Sequence, residues 1–466
     1  MPGGRTRARR LPRYEWGPKP RRRTELGLLL FGALITVALY VVASLGTTSK
    51  IPDHLGPFLG VILGMALLAH LANRWLVPDA NPVLLPLAAL LNGIGYVVIV
   101  RWSPHFASNQ AGWTVIGVVA YVLTLLFIQH SRDLDRYRYL LLLAAVLLLL
   151  APLVPKVGFA VNGAHLWVGR PGSFSFQPVE VAKVLLCIFF ASYFAEKKEL
   201  LSIPTTRVGN RLFLDPRPLL PIALTWGFAM MVIAAEDDVG FAALIFAMFV
   251  VMLWVTTGRA AYLVLSLALF AVGAVAAAHF LPQVHLRVED WLHTWRYQQT
   301  GGYQLAQGWY FMGSGGIGGL GLGTTSFLTI HGVAGAAIPE ITSDMIFAAI
   351  GGELGLLGTS AVVFGFLLLV GAGLRVAQAA RSDFARLLAV GLTSIIGFQA
   401  FFIMAGVLRL LPFTGIVLPF MAYGGSSLVA NYVLIALLMR VSGESERAPD
   451  QRLLQPGERA FVAVAS

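Results

Sequence analysis

The chain has a single cysteine, Cys187, inside an apolar run, so neither a disulfide framework nor a cysteine metal cluster is available to it. Charge is scarce as well: 12% of the 466 residues are Asp, Glu, Lys or Arg, against 57% hydrophobic, and mean hydropathy is +0.75. Those values exclude an ordinary soluble globular protein. No internal repeat is visible, which weighs against a transporter built from inverted repeats. Acids are the scarcer charge, 23 against 34 Lys and Arg, giving a net charge of +11. The basic residues gather in particular stretches between apolar runs, a pattern that membrane orientation explains and nucleic-acid binding does not. No nucleic-acid partner is expected.

What is present in quantity is apolar sequence in runs of about twenty residues, the length that crosses a bilayer as helix. The runs predict an all-α, polytopic membrane protein of about twelve spans: 26–45, 55–76, 82–100, 111–129, 138–155, 178–195, 218–235, 239–256, 260–281, 344–372, 384–408 and 415–440. With the N-terminus inside, the basic loops "HSRDLDRYR", "EKKELLSIPTTRVGNRLFLDPRP", "TTGRA" and "RVAQAARSDFAR" all fall in the cytoplasm, as the positive-inside rule requires. The first run is longer than a signal-peptide core and reads as a retained span.

Residues 1–25 form a basic cytoplasmic arm, suited to anionic membrane lipids, 26–440 the membrane domain, and 441–466 a polar cytoplasmic tail. Three segments face outward: 152–177, "AAEDDVG", and the long stretch 282–343, an extracytoplasmic loop expected to fold back on the bundle with a glycine-rich re-entrant segment.

In so uncharged a chain the acids that remain ask for a reason. "AIPEITSDMIFAAIGGELG" sets Glu340, Asp344 and Glu353 at the head of an apolar helix. "ITSD" reads either as a helix start, with Thr342 or Ser343 as cap and Asp344 in the first turn, or as a catalytic acid closing the longest outward loop. Glu353, nine residues on, falls about 180° around a straight helix and is expected to pair elsewhere. In "FQPVEVAKV", Glu180 and Lys183 share one helix face, as a structural ion pair or a functional one. The preceding "NGAHLWVGRPGSFS" adds His165, Trp167 and Arg170. Glu236, Asp237 and Asp238 crowd one turn, either solvated or bound to a cation.

"GSGGIGGLGLG" contains GxGxxG, but without the βαβ context a dinucleotide site needs. Its backbone N–H groups can cradle an anion such as a pyrophosphate, or its glycines can serve close packing. "LPFTGIVLPFMAYGGSS" predicts a broken helix, with Tyr423, Ser426 and Ser427 available to a substrate or to helix packing.

Taken in order, "NGAHLWVGRPGSFSFQPVEVAK", "DVGFAALI", "GYQLAQGWYFMGSGGIGGLGLG", "PEITSDMIFAAIGGELGLLG" and "PFTGIVLPFMAYGGSS" resemble the SEDS family (shape, elongation, division and sporulation), the RodA and FtsW type. The resemblance implies an inverting peptidoglycan glycosyltransferase that joins lipid II units on the outer face. It also implies a class B penicillin-binding protein as partner and a divalent cation, Mg²⁺ or Mn²⁺. The family's catalytic aspartate falls on Asp344, which could also hold the metal, and its functional lysine on Lys183, beside Glu180. Arg170, His165, Arg296, Gln304, Ser426 and Ser427 are the further candidates for substrate contact.

Leu166 stands where the family usually has Arg, "GGELG" where it has "GEELG", and Gln399 where it has Asn. Two spans and the basic arm exceed the usual ten-span core, as in actinobacterial members, which favours the elongation branch. A sugar hydroxyl attacking an anomeric carbon needs a base, and a departing pyrophosphate needs positive charge, roles that suit Asp344 and Lys183, Arg170 or Arg296. A lipid-precursor flippase and a non-catalytic scaffold for a penicillin-binding protein are the competing classes.

Overall fold

The computed structural model describes residues 21–50, 55–161, 164–169, 175–202, 206–208, 211–213, 227, 230–231, 238–323 and 338–446. Its helices follow the apolar runs: α1 (Arg21–Thr48), α2 (Leu55–Leu76), α3 (Leu84–Trp102), α4 (Pro104–Phe127), α5 (Ser131–Arg136), α6 (Arg138–Leu150) and α7 (Pro178–Ser202). Then come α8 (Val239–Thr257), α9 (Ala260–Phe280), α10 (Pro282–Leu292), α11 (Tyr303–Gly315), α12 (Ile346–Ala379), α13 (Asp383–Val407) and α14 (Gly425–Glu446). Among the described residues nine of these are long and apolar enough to cross a membrane, and two shorter apolar helices, Gly60–Leu76 and Arg138–Leu153, match two more expected spans. Of the expected span 218–235 only residues 227, 230 and 231 are among those described.

Local chemistry sets the helix ends. Ser103 accepts from Phe106 N–H at 3.4 Å with Pro104 in the first turn of α4, and Ser382 accepts from Ala385 N–H at 3.1 Å to start α13. Gly258, at φ 66°, closes α8 in the left-handed conformation that glycine adopts without strain. Between the ends, burial sorts the helices. α7, α13 and α14 pack on one another, α8 packs on α7 and α13, α14 lies along α4, and α12 runs between α3 and α13. At the periphery α9 leaves Val264, Leu267, Val272 and Val275 exposed, an apolar surface of the kind that faces lipid.

Four sequence expectations change in detail. The helix after the long loop begins at Ile346, so Asp344 lies in the turn ahead of it, and neither Thr342 nor Ser343 caps that helix. The last helix begins at Gly425; residues 415–424 form the non-helical lead that Pro419 and the glycines Gly415 and Gly424 favour. The fold is helical apart from two small sheets. One has three antiparallel strands, β1 (Gly158–Val161), β2 (Ala164–Gly169) and β3 (Ser175–Phe176), ahead of α7; the other pairs β4 (Thr206–Val208) with β5 (Arg211–Phe213). The long loop holds helices α10 and α11, and α11 packs on α12.

The glycine run has a defined task. α12 is broken at Gly355 (φ 64°, ψ −159°), a conformation essentially restricted to glycine. The break frees the carbonyls of Gly352 and Glu353 and the N–H groups of Leu356 and Leu357. The run fills all four positions: Leu320 and Gly321 N–H donate to Gly352 and Glu353 O at 3.0 Å each, while Leu356 and Leu357 N–H donate to Gly316 O at 3.0 Å and Ile317 O at 3.2 Å. A side chain at Gly319 would overlap the Glu353 carbonyl, so the approach itself requires glycine. Of the two readings open from sequence, close packing is the one this backbone exchange favours. The far end of the run reaches α1, where the Thr47 hydroxyl donates to Gly323 O at 3.4 Å.

Candidate functional site

Two polar assemblies occupy the same end of the bundle. The first is a chain of side chains inside the helical core. Glu180 and Lys183, both fully buried on α7, form the expected ion pair; Lys183 Nζ also donates to Gln399 Oε1 of α13 at 2.8 Å and lies 5.5 Å from the Phe241 ring. Gln399 Nε2 donates to Val417 O at 3.0 Å and to Ser427 Oγ at 3.3 Å, and Asn431 donates to the same Ser427 at 3.2 Å. Ser426 Oγ accepts from Gln177 N–H at 2.9 Å. The Lys183–Gln399, Gln399–Val417, Gln399–Ser427 and Gln177–Ser426 links cross between elements and tie α7, α13, α14 and the 415–424 lead together. Glu180 Oε1 is left with no partner among the described residues.

The second assembly centres on Asp344. Its turn is fixed by backbone: Met345 N–H donates to Glu340 O at 2.9 Å, Tyr423 N–H donates to Thr342 O at 2.8 Å, and the Ser343 hydroxyl donates to Glu340 Oε2 at 2.7 Å. Glu340 takes a positive φ of 51° to make this turn. The Asp344 carboxyl, partly accessible within dense protein, is pushed up to about 8 by burial and then by the Glu340 charge; Arg287 opposes the shift and Asp238 adds to it. Asp238, buried at the start of α8, caps that helix by accepting from Phe241 N–H at 3.0 Å. Burial lifts its carboxyl to about 6, with the Phe241 N–H and Arg287 working against the rise and Glu180 adding to it.

Arg287, on α10, is thus the cation acting on both acids, and its guanidinium donates to Thr414 O at 3.4 Å. Gly415, the next residue, runs beside Asp344, since a Cβ there would stand 3.9 Å from Asp344 Oδ2. The buried Thr414 hydroxyl has no partner among the described residues. A cluster of carboxylates facing one arginine, with a spare hydroxyl alongside, can take a proton from a hydroxyl nucleophile and can attract a cation.

The remaining sequence candidates are distributed as follows. Arg296 lies exposed in the turn after α10, 5.9 Å from the Tyr297 ring. Gln304 is half-buried on α11, and its Nε2 finds no partner among the described residues. The backbone of His165 is in β2, while Arg170, Glu236 and Asp237 lie outside the described residues. Glu353 pairs with Arg101 of α3 at 3.4 Å, away from Asp344, as the helical angle predicts. Arg287 was not singled out from sequence: "PQVHLRVEDWL" reads as loop, and only its amphipathic spacing hints at a helix that could carry an arginine inward. Among the described residues no group of three or more His, Cys, Asp or Glu side chains is arranged to hold a metal ion.

Fold and site together define a polytopic helical membrane protein with an acidic centre at one end of its bundle. The sequence model of the cell cycle proteins FtsW, RodA and SpoVE matches residues 85–447, and the chain belongs to that family, the one its motifs resemble. It is similar to a protein of Mycobacterium tuberculosis named peptidoglycan glycosyltransferase RodA, with 37% identity over 438 residues, covering 92% of each chain. The crystal structure of the Thermus thermophilus rod shape determining protein RodA is 26% identical and superposes with a TM-score of 0.53, covering 80% of this chain and 99% of that one. A chain from a structure of a peptidoglycan synthase complex that coordinates polymerization and crosslinking shares the fold at a TM-score of 0.62, with 24% identity and coverage of 79% and 99%.

Proposed function

We propose that this chain is a peptidoglycan glycosyltransferase that polymerises lipid II, with Asp344 as general base. The observation that carries the assignment is the convergence of Asp344, the α8 cap Asp238, Arg287 of α10 and the Thr414–Gly415 backbone at one end of the bundle, where the Asp344 carboxyl is pushed up to about 8. A carboxylate of that basicity matches a base working near neutral pH. In the reaction a sugar hydroxyl attacks the anomeric carbon of a second lipid-linked unit. The new glycosidic bond forms as the bond to the lipid pyrophosphate breaks, and the hydroxyl proton passes to Asp344 Oδ. Arg287 is the cation best placed to meet negative charge growing on the pyrophosphate. Lys183, enclosed by Glu180 and Gln399, positions α7 against α13 and the 415–424 lead.

The residues also fit a divalent cation. Mg²⁺ or Mn²⁺ takes one or two protein carboxylates and fills its other positions with phosphate oxygens and water, and Asp344 with Asp238 is such a pair. When bound, the ion would neutralise charge on the pyrophosphate.

The site faces outward and both termini are cytoplasmic in this reading. Support comes from the basic residues Arg132, Arg136, Lys197, Lys198, Arg259, Arg381 and Arg386, which lie at helix ends remote from Asp344. A class B penicillin-binding protein is the proposed partner, in keeping with the synthase complex that shares this fold. The test is polymerisation of fluorescent lipid II by the purified chain with a divalent cation, with and without that partner, beside Asp344→Asn. Glycan ladders that the variant loses by about 10²-fold or more support the reading. Equal ladders refute the base, and lipid II crossing liposomes without polymer identifies a transporter instead.

A further inference from the structure

Just past the end of α13 lies an open pocket of about 320 Å³ lined by Trp295, Trp309, Met312, Leu408 and Arg409, which the chemistry above leaves unused. We propose that it is a saccharide subsite, in which the indoles of Trp295 and Trp309 hold the glycan chain a few sugars away from Asp344. The proposal rests on the polymerase reading for its ligand and on the pocket's own construction for its existence.

The construction is rigid. Trp309 Nε1 donates to Val407 O at 2.6 Å, and Trp291 Nε1 donates to Arg409 O at 3.0 Å. Arg409 answers with Nε to Trp291 O at 3.1 Å and Nη2 to Leu292 O at 2.8 Å, and its guanidinium lies 5.6 Å from the Trp309 ring. To do so Arg409 adopts a φ of 63°, a conformation an arginine keeps only where surrounding contacts impose it. Trp295 stands edge-on to Trp309 at 5.4 Å between ring centres and remains 47% exposed. A hydrogen-bonded Trp309 with the half-exposed Trp295 packed edge-on against it, beside a cation, presents apolar area at little ordering entropy, which suits the alternating apolar faces and hydroxyl rims of pyranose rings.

The position points to the same ligand. The segment Leu408–Gly415 lines the pocket at one end and runs beside Asp344 at the other, and α10 is bound to both ends, through Trp291 and through Arg287. Arg409 and Thr414 are five residues apart, which as extended chain is at most about 18 Å. The pocket's Arg409 therefore lies within a few sugar lengths of the Thr414–Gly415 backbone that runs beside Asp344.

The experiment uses the full chain in detergent and the β-1,4-linked N-acetylglucosamine hexamer as probe, read by saturation-transfer NMR and calorimetry, with glycan length measured in parallel. The wild type and Asp344→Asn bind the hexamer. Trp295→Ala weakens it tenfold or more and shortens the glycan, and Trp295→Phe recovers most of both because a ring is restored. The proposal is overturned if a polymerising wild type does not bind the hexamer, or if Trp295→Ala and Trp309→Ala both bind it unchanged. It is also overturned if Trp295→Ala loses only its penicillin-binding partner while hexamer affinity and glycan length stay the same. Hexamer binding that depends on Trp295 in a chain that makes no polymer upholds the subsite and removes the polymerase reading instead.

Discussion

Glu180 and Asp344 are both acids of an oily protein, and their surroundings differ in one respect. Glu180 has Lys183 on its own helix, and Lys183 is held in turn by Gln399, so the charge of that region is settled internally. Asp344 has Glu340 and Asp238 as neighbours and shares one arginine with Asp238. A paired acid stabilises a fold; a crowded acid keeps free energy available for a proton, a cation or a substrate to release. The sequence offers both as charged residues near helix starts, and only their neighbours distinguish them.

The contrast predicts that substitutions in the first region act on stability and those in the second on activity. The largest effect is expected from Asp344→Asn, which removes about 10²- to 10⁴-fold of polymerisation while the melting temperature stays level or rises, since a carboxyl that burial keeps from ionising is replaced by a neutral amide. Parallel losses of fold and activity in that variant would erase the distinction. Next, Lys183→Met strands a buried carboxylate and destabilises by about 3–5 kcal/mol; adding Glu180→Gln recovers much of it, as thermal unfolding in detergent should show. Gly355→Ala forces a side chain into a conformation it resists and is expected to cost about 1–3 kcal/mol, read the same way.

The smallest effects sharpen the comparison through pH. Asp344 works as a base only when ionised, so the rate rises with pH through its value of about 8. Glu340→Gln removes a negative neighbour, lowers that value and moves the rising limb to lower pH. Arg287→Gln removes the opposing cation and moves the limb to higher pH. Shifts in the same direction for both variants would mean that Asp344 does not control the limb.

Much of this was legible before any coordinates. The spans follow from hydropathy because a bilayer imposes one length scale on every helix that crosses it. The Glu180–Lys183 pair follows from spacing on one helix, and the separation of Glu353 from Asp344 from the angle per residue. Arg287 did not follow, because its approach to Asp344 depends on α10 folding back onto Thr414, a contact between residues 127 positions apart. The glycine run was ambiguous for a similar reason: an anion cradle and a patch for a broken helix demand the same small residues, and only the four freed backbone groups at Gly355 separate them. Ser426 and Ser427 looked equally ready for substrate and for packing, and the structure engages both hydroxyls with neighbouring elements.

The helices α1 and α2 precede the family match, which starts at residue 85, yet relatives covering 92% of the chain extend into them. They come as a pair joined by a short connection, and the number two matters. An up-and-down pair leaves the basic residues 1–25 on the same side as the basic segments between the later helices, whereas one added crossing would set the two on opposite sides, against the positive-inside rule. Extensions to such a bundle at this end are therefore constrained by parity: a basic arm favours lengthening by hairpins over a lone crossing.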